Sequence, residues 1–569
     1  MKKRFTTICL ALCLAASLAG CGGTGADTQT PAPETQTTQA KDAREQEQAA
    51  VDALNEAAAT NTGEAQYGGT FIVGVPEDPT MLCSAFSGNT HDLFFWLPMS
   101  IGLLDYDAAD NMKPVCSELA ESYEFSDDFM HLTFKLRDAK WTDGQPITSE
   151  DVKFTIENVS MNYNANMQQQ LTNLESVECP DESTVVINLS KPNRDLLGFW
   201  HRFYCSILPE HVWKDYIENY QDCPEYMNPT VTGGPFTLKE YVAGDHATYV
   251  RNEAFLDGKE PYLDELILKI IPDETTMGEA LEAGEIDLAQ CAAISFDECD
   301  RLRDVEGIAV YDIGKELRST VYYVSLNQQR EALQDKNVRT ALMEAIDQEA
   351  LIDLVFNGYG QVSYSPIPNN SAFSEIRIEP EERYPYNPED AAAKLDAAGY
   401  TADSNGDRGL ELTAVVLTTE KDRLLSEAIR SYWAEVGVTL KIIQLDSAAA
   451  NERCWIQRDY DMTFIDGGLS TAFSACANRY CSDYMGKNYG DPGCITNQRI
   501  DEIFNTVGTQ DEQTQKELYA ELQNLIAGEA SNMWLQNWAP YAVSSNFGGF
   551  PARPDVQFMD YSNVYLMGK

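Results

Sequence analysis

Pro114-Val115-Cys116-Ser117-Glu118-Leu119-Ala120-Glu121-Ser122-Tyr123-Glu124-Phe125-Ser126-Asp127-Asp128, continuing from Lys135 as Leu136-Arg137-Asp138-Ala139-Lys140-Trp141-Thr142-Asp143-Gly144-Gln145-Pro146-Ile147-Thr148-Ser149-Glu150-Asp151-Val152, is the stretch from which the fold is read. Between its two parts, His131–Leu136 alternates, with Leu132, Phe134 and Leu136 on one face, and reads as a half-buried strand. Asp143-Gly144-Gln145-Pro146 is a turn, Gly and Pro supplying the backbone angles. Thr148 or Ser149 then caps a helix expected from about 150 to 159, with Glu150 and Asp151 where the helix dipole favours acids. Strand, turn and capped helix in succession are the unit of an α/β protein.

The same grammar repeats outward in both directions. Strands are expected at 69–75, 184–189, 266–271, 286–288, 320–326 and 438–443. Helices are expected at 277–283, closed by Gly284, and at 338–346. Asn387 and Pro388 mark another helix start, with Gly399 as its stop. Further helices follow at 422–436, ending at Gly437, and at 500–507 and 514–527. Strands alternating with helices throughout give mainly α/β architecture.

The chain has 569 residues and a formal net charge of −49. An acidic surface of that size repels nucleic acid and anionic lipid headgroups, which excludes both as partners, and keeps the protein soluble. No Gly-x-Ser-x-Gly elbow, phosphate-cradling Gly-rich loop or His-Glu-x-x-His occurs, so no catalytic residue is assigned and no enzyme activity is expected. The five histidines, His91, His131, His201, His211 and His246, are scattered, and no metal or cofactor is expected. Asp403-Ser404-Asn405-Gly406-Asp407-Arg408-Gly409-Leu410-Glu411 spaces oxygens as a calcium loop does, but the last ligand position is Ala414, so an Asp/Asn/Gly turn is the better reading.

The quoted stretch resembles the signature of the extracellular solute-binding proteins, family 5, of ABC importers, which include oligopeptide- and dipeptide-binding proteins. The resemblance continues in order through Thr232-Gly233-Gly234-Pro235-Phe236-Thr237-Leu238-Lys239, residues 323–327, residues 338–347 and residues 391–400, covering nearly the whole body from Gly68. It implies a two-lobe periplasmic-binding-protein-like fold of the large type II kind. The first lobe would be 67–310 plus 530–569, with an inserted subdomain at about 111–229, and the second 311–529. Two crossovers, near 314–318 and 531–540, would form the hinge. Ligand would touch both lobes and so stabilise the closed state that a membrane permease recognises.

Ligand contacts implied by the resemblance fall at Ser87, Gly88, Asn89 and Thr90, at Gln290 and Cys291, and at Trp538. Peptide-binding members carry Gly-Trp-x-Ala-Asp after the strand that here is 460–464, the Asp pairing with the peptide ammonium. In this chain Gly467 stands for the Trp and Ser470 for the Asp, with Asp466 and Gly468 beside them. A hydroxyl does not replace a buried ion pair. Either Asp466 serves in a shifted loop, or the ligand has no free ammonium there. Peptide is the leading ligand class; the alternatives are an oligosaccharide or other non-peptide solute, or a solute-sensing lipoprotein without transport.

The first residues have the form of a secretory leader. Met1-Lys2-Lys3-Arg4 precedes a short apolar run, and Leu18-Ala19-Gly20-Cys21 is similar to the lipobox of bacterial lipoproteins, with Cys21 the lipidated residue. Residues 22–66 are a polar, Thr/Gln/Pro/Ala-rich tether of about 45 residues, spanning roughly 35–40 Å as a coil. The expected product is a monomer anchored by lipid on the outer face of the cell membrane. Of 14 cysteines, Cys9, Cys13 and Cys21 belong to the leader and anchor, leaving eleven. An odd number requires a free thiol or an intermolecular bridge. A local disulfide among Cys476, Cys481 and Cys494 and a set of buried free thiols are both compatible with the spacing.

Overall fold

The structure is a computed structural model and describes residues 65–86, 90–107, 113–256, 261–290, 293–311, 320–367, 382–468, 473–485, 490–537, 541–549 and 561–567. Cys21, the tether to residue 64 and the first expected crossover at 314–318 lie outside the described residues.

The stretch that opens the sequence reading folds as its pattern dictates. His131–Leu136 is the second strand of an antiparallel four-stranded sheet, in the order Ala120–Phe125, His131–Leu136, Thr184–Leu189, Leu174–Asp181. Its apolar face, Leu132, Phe134 and Leu136, joins Val185, Ile187, Trp141 and Trp200 in a core of its own. Thr148 is the cap. Its N–H donates to Asp151 Oδ2 at 2.8 Å, and the helix Ser149–Phe154 passes into a π-helical turn over Thr155–Ser160. Asp151 does more than face a dipole. Its Oδ1 accepts the Glu210 N–H at 2.8 Å and its Oδ2 accepts Trp141 Nε1–H at 3.3 Å, at 5% exposure.

Two larger sheets carry the remaining mass. The first has seven strands in the order Ile308–Tyr311, Tyr541–Ser544, Leu288–Ala289, Thr70–Val75, Glu265–Ile270, His246–Arg251, Phe236–Val242. Thr70–Val75 runs parallel to both of its neighbours and is buried on both faces, by Phe71 and Val73 on one side and by the Met277, Ile286 and Leu302 cluster on the other. The second sheet has six strands in the order Gly360–Ser363, Asn532–Asn537, Thr320–Leu326, Met462–Gly468, Leu410–Leu417, Val438–Leu445. Tyr322 and Val324 face one core, Val321 and Tyr323 another. A small third sheet, Ala65–Gln66, Tyr565–Met567, Phe547–Gly548, ties the start of the folded body to its end.

Asn532–Asn537, in the span 531–540 expected for the second crossover, pairs with Thr320–Leu326 and Gly360–Ser363 inside the second sheet. All six of its residues are buried there, and the polar ones at its ends hide the strand from a hydrophobicity pattern. The change of sheet falls between Asn537 and Tyr541.

Elements flanking the two sheets also touch, the helix Phe296–Leu302 against the turn before Gly360–Ser363. The Phe296 ring stacks on Tyr359 at 5.0 Å between centroids and 13° between planes. Arg303 Nη2 donates to the Tyr359 hydroxyl at 2.9 Å, that hydroxyl donates to Asp300, and Asn357 Nδ2 donates to Asp297 Oδ1 at 2.7 Å. Farther out, Gly508 lies against Asn193 and Pro192, close enough that a Cβ there would be 3.7 Å from Asn193 Oδ1.

The ten described cysteines are all unbridged, eight of them buried, so Cys476, Cys481 and Cys494 form no local disulfide. The Asp403 loop is a turn held by its own carboxylate, whose Oδ1 accepts the N–H groups of Asn405 at 2.7 Å and Asp407 at 3.0 Å.

Candidate functional site: the edge where the chain changes sheets

Three residues separate Asn537 in the second sheet from Tyr541 in the first, so these ends stand no more than about 14 Å apart. Ala289 pairs with Ala542, which puts Gln290 one residue beyond that pair, beside the same junction. Gln290 also directly follows the strand Leu288–Ala289, parallel to Thr70–Val75, and the carboxyl ends of parallel strands are where α/β sheets present ligand sites.

Gln290 is fixed by its backbone, its N–H donating to Gly74 O at 3.1 Å and its carbonyl accepting from Ala293 at 2.9 Å. Its side chain is 1% exposed and its Nε2 has no hydrogen-bond partner among the described residues. Asn537, across from Thr320 and Gly360, is 6% exposed and its Nδ2 is likewise without a partner among the described residues. A buried amide nitrogen left without an acceptor costs on the order of 1–3 kcal/mol, so two at one edge are a feature in need of a ligand or water.

On the second sheet, Gly467 pairs with Val321. Arg479 comes down over it from the short helix Ala477–Tyr480, and a Cβ on Gly467 would lie 3.1 Å from Arg479 Nη2. The guanidinium carbon is 5.8 Å from the Tyr323 ring centroid. Tyr480 anchors this helix, accepting a hydrogen bond from Trp534 Nε1 at 3.0 Å. A loop braces it from behind. Asp491 N–H donates to Asn478 O at 2.7 Å, Arg458 donates to the carbonyls of Gly490 and Asp491, and the Tyr460 hydroxyl donates to Pro492 O at 2.7 Å. Burial pushes the Asp491 carboxyl up to about 7, against the backbone N–H of Ile495 and the Arg458 guanidinium.

Of the residues expected from sequence to touch ligand, Gln290 and Gly467 lie at this edge. Gly468 ends the strand Met462–Gly468 that also contains Asp466. Thr90 begins the helix Thr90–Trp96. Ser87, Gly88, Asn89, Cys291, Ser470 and Trp538 lie outside the described residues. Arg479 and Asn537 are not among the expected residues. The signal for Arg479 is weak in sequence, a cation twelve residues past a glycine that leaves room for it.

Comparison with known proteins places the fold. The profile of the bacterial extracellular solute-binding proteins, family 5, matches residues 115–478, and the chain belongs to this family. A Brucella ovis protein assigned to an ABC transporter as its peptide-binding component is 30% identical over 382 residues, covering 64% of this chain and 68% of that one. Among solved structures, the ABC transporter substrate-binding protein CtaP of Listeria monocytogenes superposes with a TM-score of 0.75 at 24% identity, covering 88% of this chain and 100% of that one. The oligopeptide-binding protein AppA of Bacillus subtilis, solved with a nonapeptide, gives 0.72 at 22% identity, with coverage of 88% and 100%. These solved structures share the two-lobe fold. The described residues contain no helix long and apolar enough to cross a membrane.

Proposed function

We propose that this chain is the solute-binding component of an ABC importer, which captures a peptide between its lobes and hands it to a membrane permease. The observation that carries the reading is the junction of two sheets by short crossovers in a chain of this family, with buried donors at that edge. Ligand that touches both lobes shifts the molecule toward one closed arrangement, by no more than its difference in affinity for the two states. Such a role asks for no bond to be made or broken. The proposed ligand residues are Ser87, Gly88, Asn89, Thr90, Gln290, Cys291, Asp466, Gly467, Gly468, Ser470 and Trp538. Lipid on Cys21 would hold a monomer at the outer face of the cell membrane, and Cys21→Ala would release it to the medium.

The replacement of Trp by Gly467 and of the ammonium-binding Asp by Ser470 favours a second reading, in which the solute is an oligosaccharide or another non-peptide. Native mass spectrometry of protein purified without added ligand, followed by a melting screen of peptides and oligosaccharides, separates the two. A true ligand at 100 times its dissociation constant adds about 2.7 kcal/mol of stability. Stabilisation by oligosaccharides and by no peptide of any length would overturn the first reading.

A further inference from the structure

We propose that Cys83 and Cys223 are a paired redox site, which a small-molecule disulfide outside the cell converts to a bridge stapling residues 82–86 to residues 220–226. This goes beyond the binding reading and does not depend on which solute is bound. Two contacts clamp these segments together. The Leu82 N–H donates to Tyr226 O at 3.1 Å, and the Phe86 ring stacks on Tyr220 at 4.3 Å between centroids and 3° between planes. Cys83 lies between the clamps on one segment and Cys223 between them on the other. Tyr226 also ties the two directly, since its N–H donates to Cys223 O at 3.0 Å while its carbonyl takes the Leu82 N–H. Both side chains sit in one apolar core, Cys83 at 0% and Cys223 at 3% exposure.

The thiols also sense each other. Burial pushes the Cys83 thiol well up, against a backbone hydrogen bond from Ala85, and the Cys223 sulfur and the Glu225 carboxylate add to the rise. Both groups are thiols in the structure. A member of an extracellular family works where disulfides form and persist. Burial keeps both sulfurs protonated, so the exchange takes place as the chain folds or in an excursion that uncovers them. The Cys223 thiolate attacks one sulfur of the small disulfide, and one thiolate leaves. The Cys83 thiolate then attacks the Cys223 sulfur of that mixed disulfide and expels the second. The two cysteine protons end on the two released thiolates, and two electrons pass from the cysteine pair to the small disulfide. The bridge encloses residues 84–222, a loop long enough that closing it removes much of the unfolded chain's freedom. Cys83 stands shortly before Thr90, so the staple also holds the lead into the helix Thr90–Trp96.

The test uses the full chain, exposed to a glutathione redox buffer both in the folded state and during refolding from urea, with a phosphine-reduced sample beside it. Free thiols are blocked with iodoacetamide under denaturing conditions. Bridged ones are then reduced and labelled with N-ethylmaleimide, and the peptides are read by mass spectrometry. Expected is the second label on Cys83 and Cys223 together, and a joined pair of their peptides in the unreduced digest. Cys83→Ala should leave Cys223 with the first label. The bridged protein should melt roughly 3 °C or more above the reduced one, a difference that Cys83→Ala should lack. If Cys83→Ala does not fold, the joined peptides and the melting difference of the parent decide the matter. Three results overturn the proposal: the first label on both cysteines in both arms, either one joined to a third cysteine, or a bridge that leaves melting unchanged or lowered.

Discussion

At the scale of single residues, buried carboxylates show how the same chemical group is used in opposite ways. Asp151 is buried but saturated with donors, from Thr148, Glu210 and Trp141. Asp151→Ala strands those donors and should cost roughly 3 kcal/mol, read as a lower urea midpoint at unchanged slope. Asp491 is held differently. Its carboxyl is pushed up to about 7 by burial, from an ordinary value of 3.8. The folded state therefore binds this proton more tightly than the unfolded chain does, and stability is lost as pH rises from about 4 to about 7. Asp491→Asn removes that loss, and Asn also tolerates the residue's φ of +36°. Its melting temperature should exceed the parent's by several degrees at pH 8 and match it near pH 4.5.

At the scale of elements, caps and alternation carry far in the sequence. His131–Leu136, Thr184–Leu189 and Thr320–Leu326 are strands with the bounds their β-branched and alternating residues imply. Asn387 caps Pro388–Ala397 through its side chain, which accepts the Asp390 N–H at 3.1 Å. Gly437 closes Glu420–Glu435 at φ +79°, and a Cβ there would fall 2.2 Å from Gly406 O. Gly437→Ala pays both strain and collision and should cost roughly 2 kcal/mol or more by chemical denaturation. Asn532–Asn537 was not legible, because a central strand buried along its whole length carries Asn532, Gln536 and Asn537 where a pattern reader expects apolar residues. The sheet neutralises part of that polarity locally, Ser325 Oγ donating to Asn532 Oδ1 at 2.6 Å. The packing of Arg479 over Gly467, twelve positions earlier, is likewise invisible in sequence, because only the fold brings the two together.

At the scale of the whole molecule, the elements beside the two large sheets are joined by more than the chain. Tyr359, just before the strand Gly360–Ser363 of the six-stranded sheet, stacks on Phe296 and exchanges hydrogen bonds with Arg303 and Asp300, which lie just before the strand Ile308–Tyr311 of the seven-stranded sheet. Burial, with Asp300 beside it, pushes the Tyr359 phenol up to about 12, so the contact is unaffected by pH in the neutral range. Tyr359→Ala should destabilise the protein by roughly 3 kcal/mol and Tyr359→Phe by roughly 1 kcal/mol, the difference measuring the ring against its hydroxyl. If the two lobes then melt separately in calorimetry, this contact is what makes them one cooperative unit.

The unbridged cysteines have a consequence for watching the molecule move. Burial pushes the thiols of Cys205 and Cys476 up to about 12 and that of Cys454 up to about 11, so in the folded state they are protonated and shielded. An alkylating reagent can reach each only during an excursion that uncovers it, and its rate of modification then reports the population of that excursion. Cys83 and Cys299 keep time for the cores packed on the seven-stranded sheet, Cys454 and Cys476 for a core packed on the six-stranded one. Pulsed alkylation followed by peptide mass spectrometry would read two clocks already built into the chain, and a ligand that slows both together would be seen holding both halves at once.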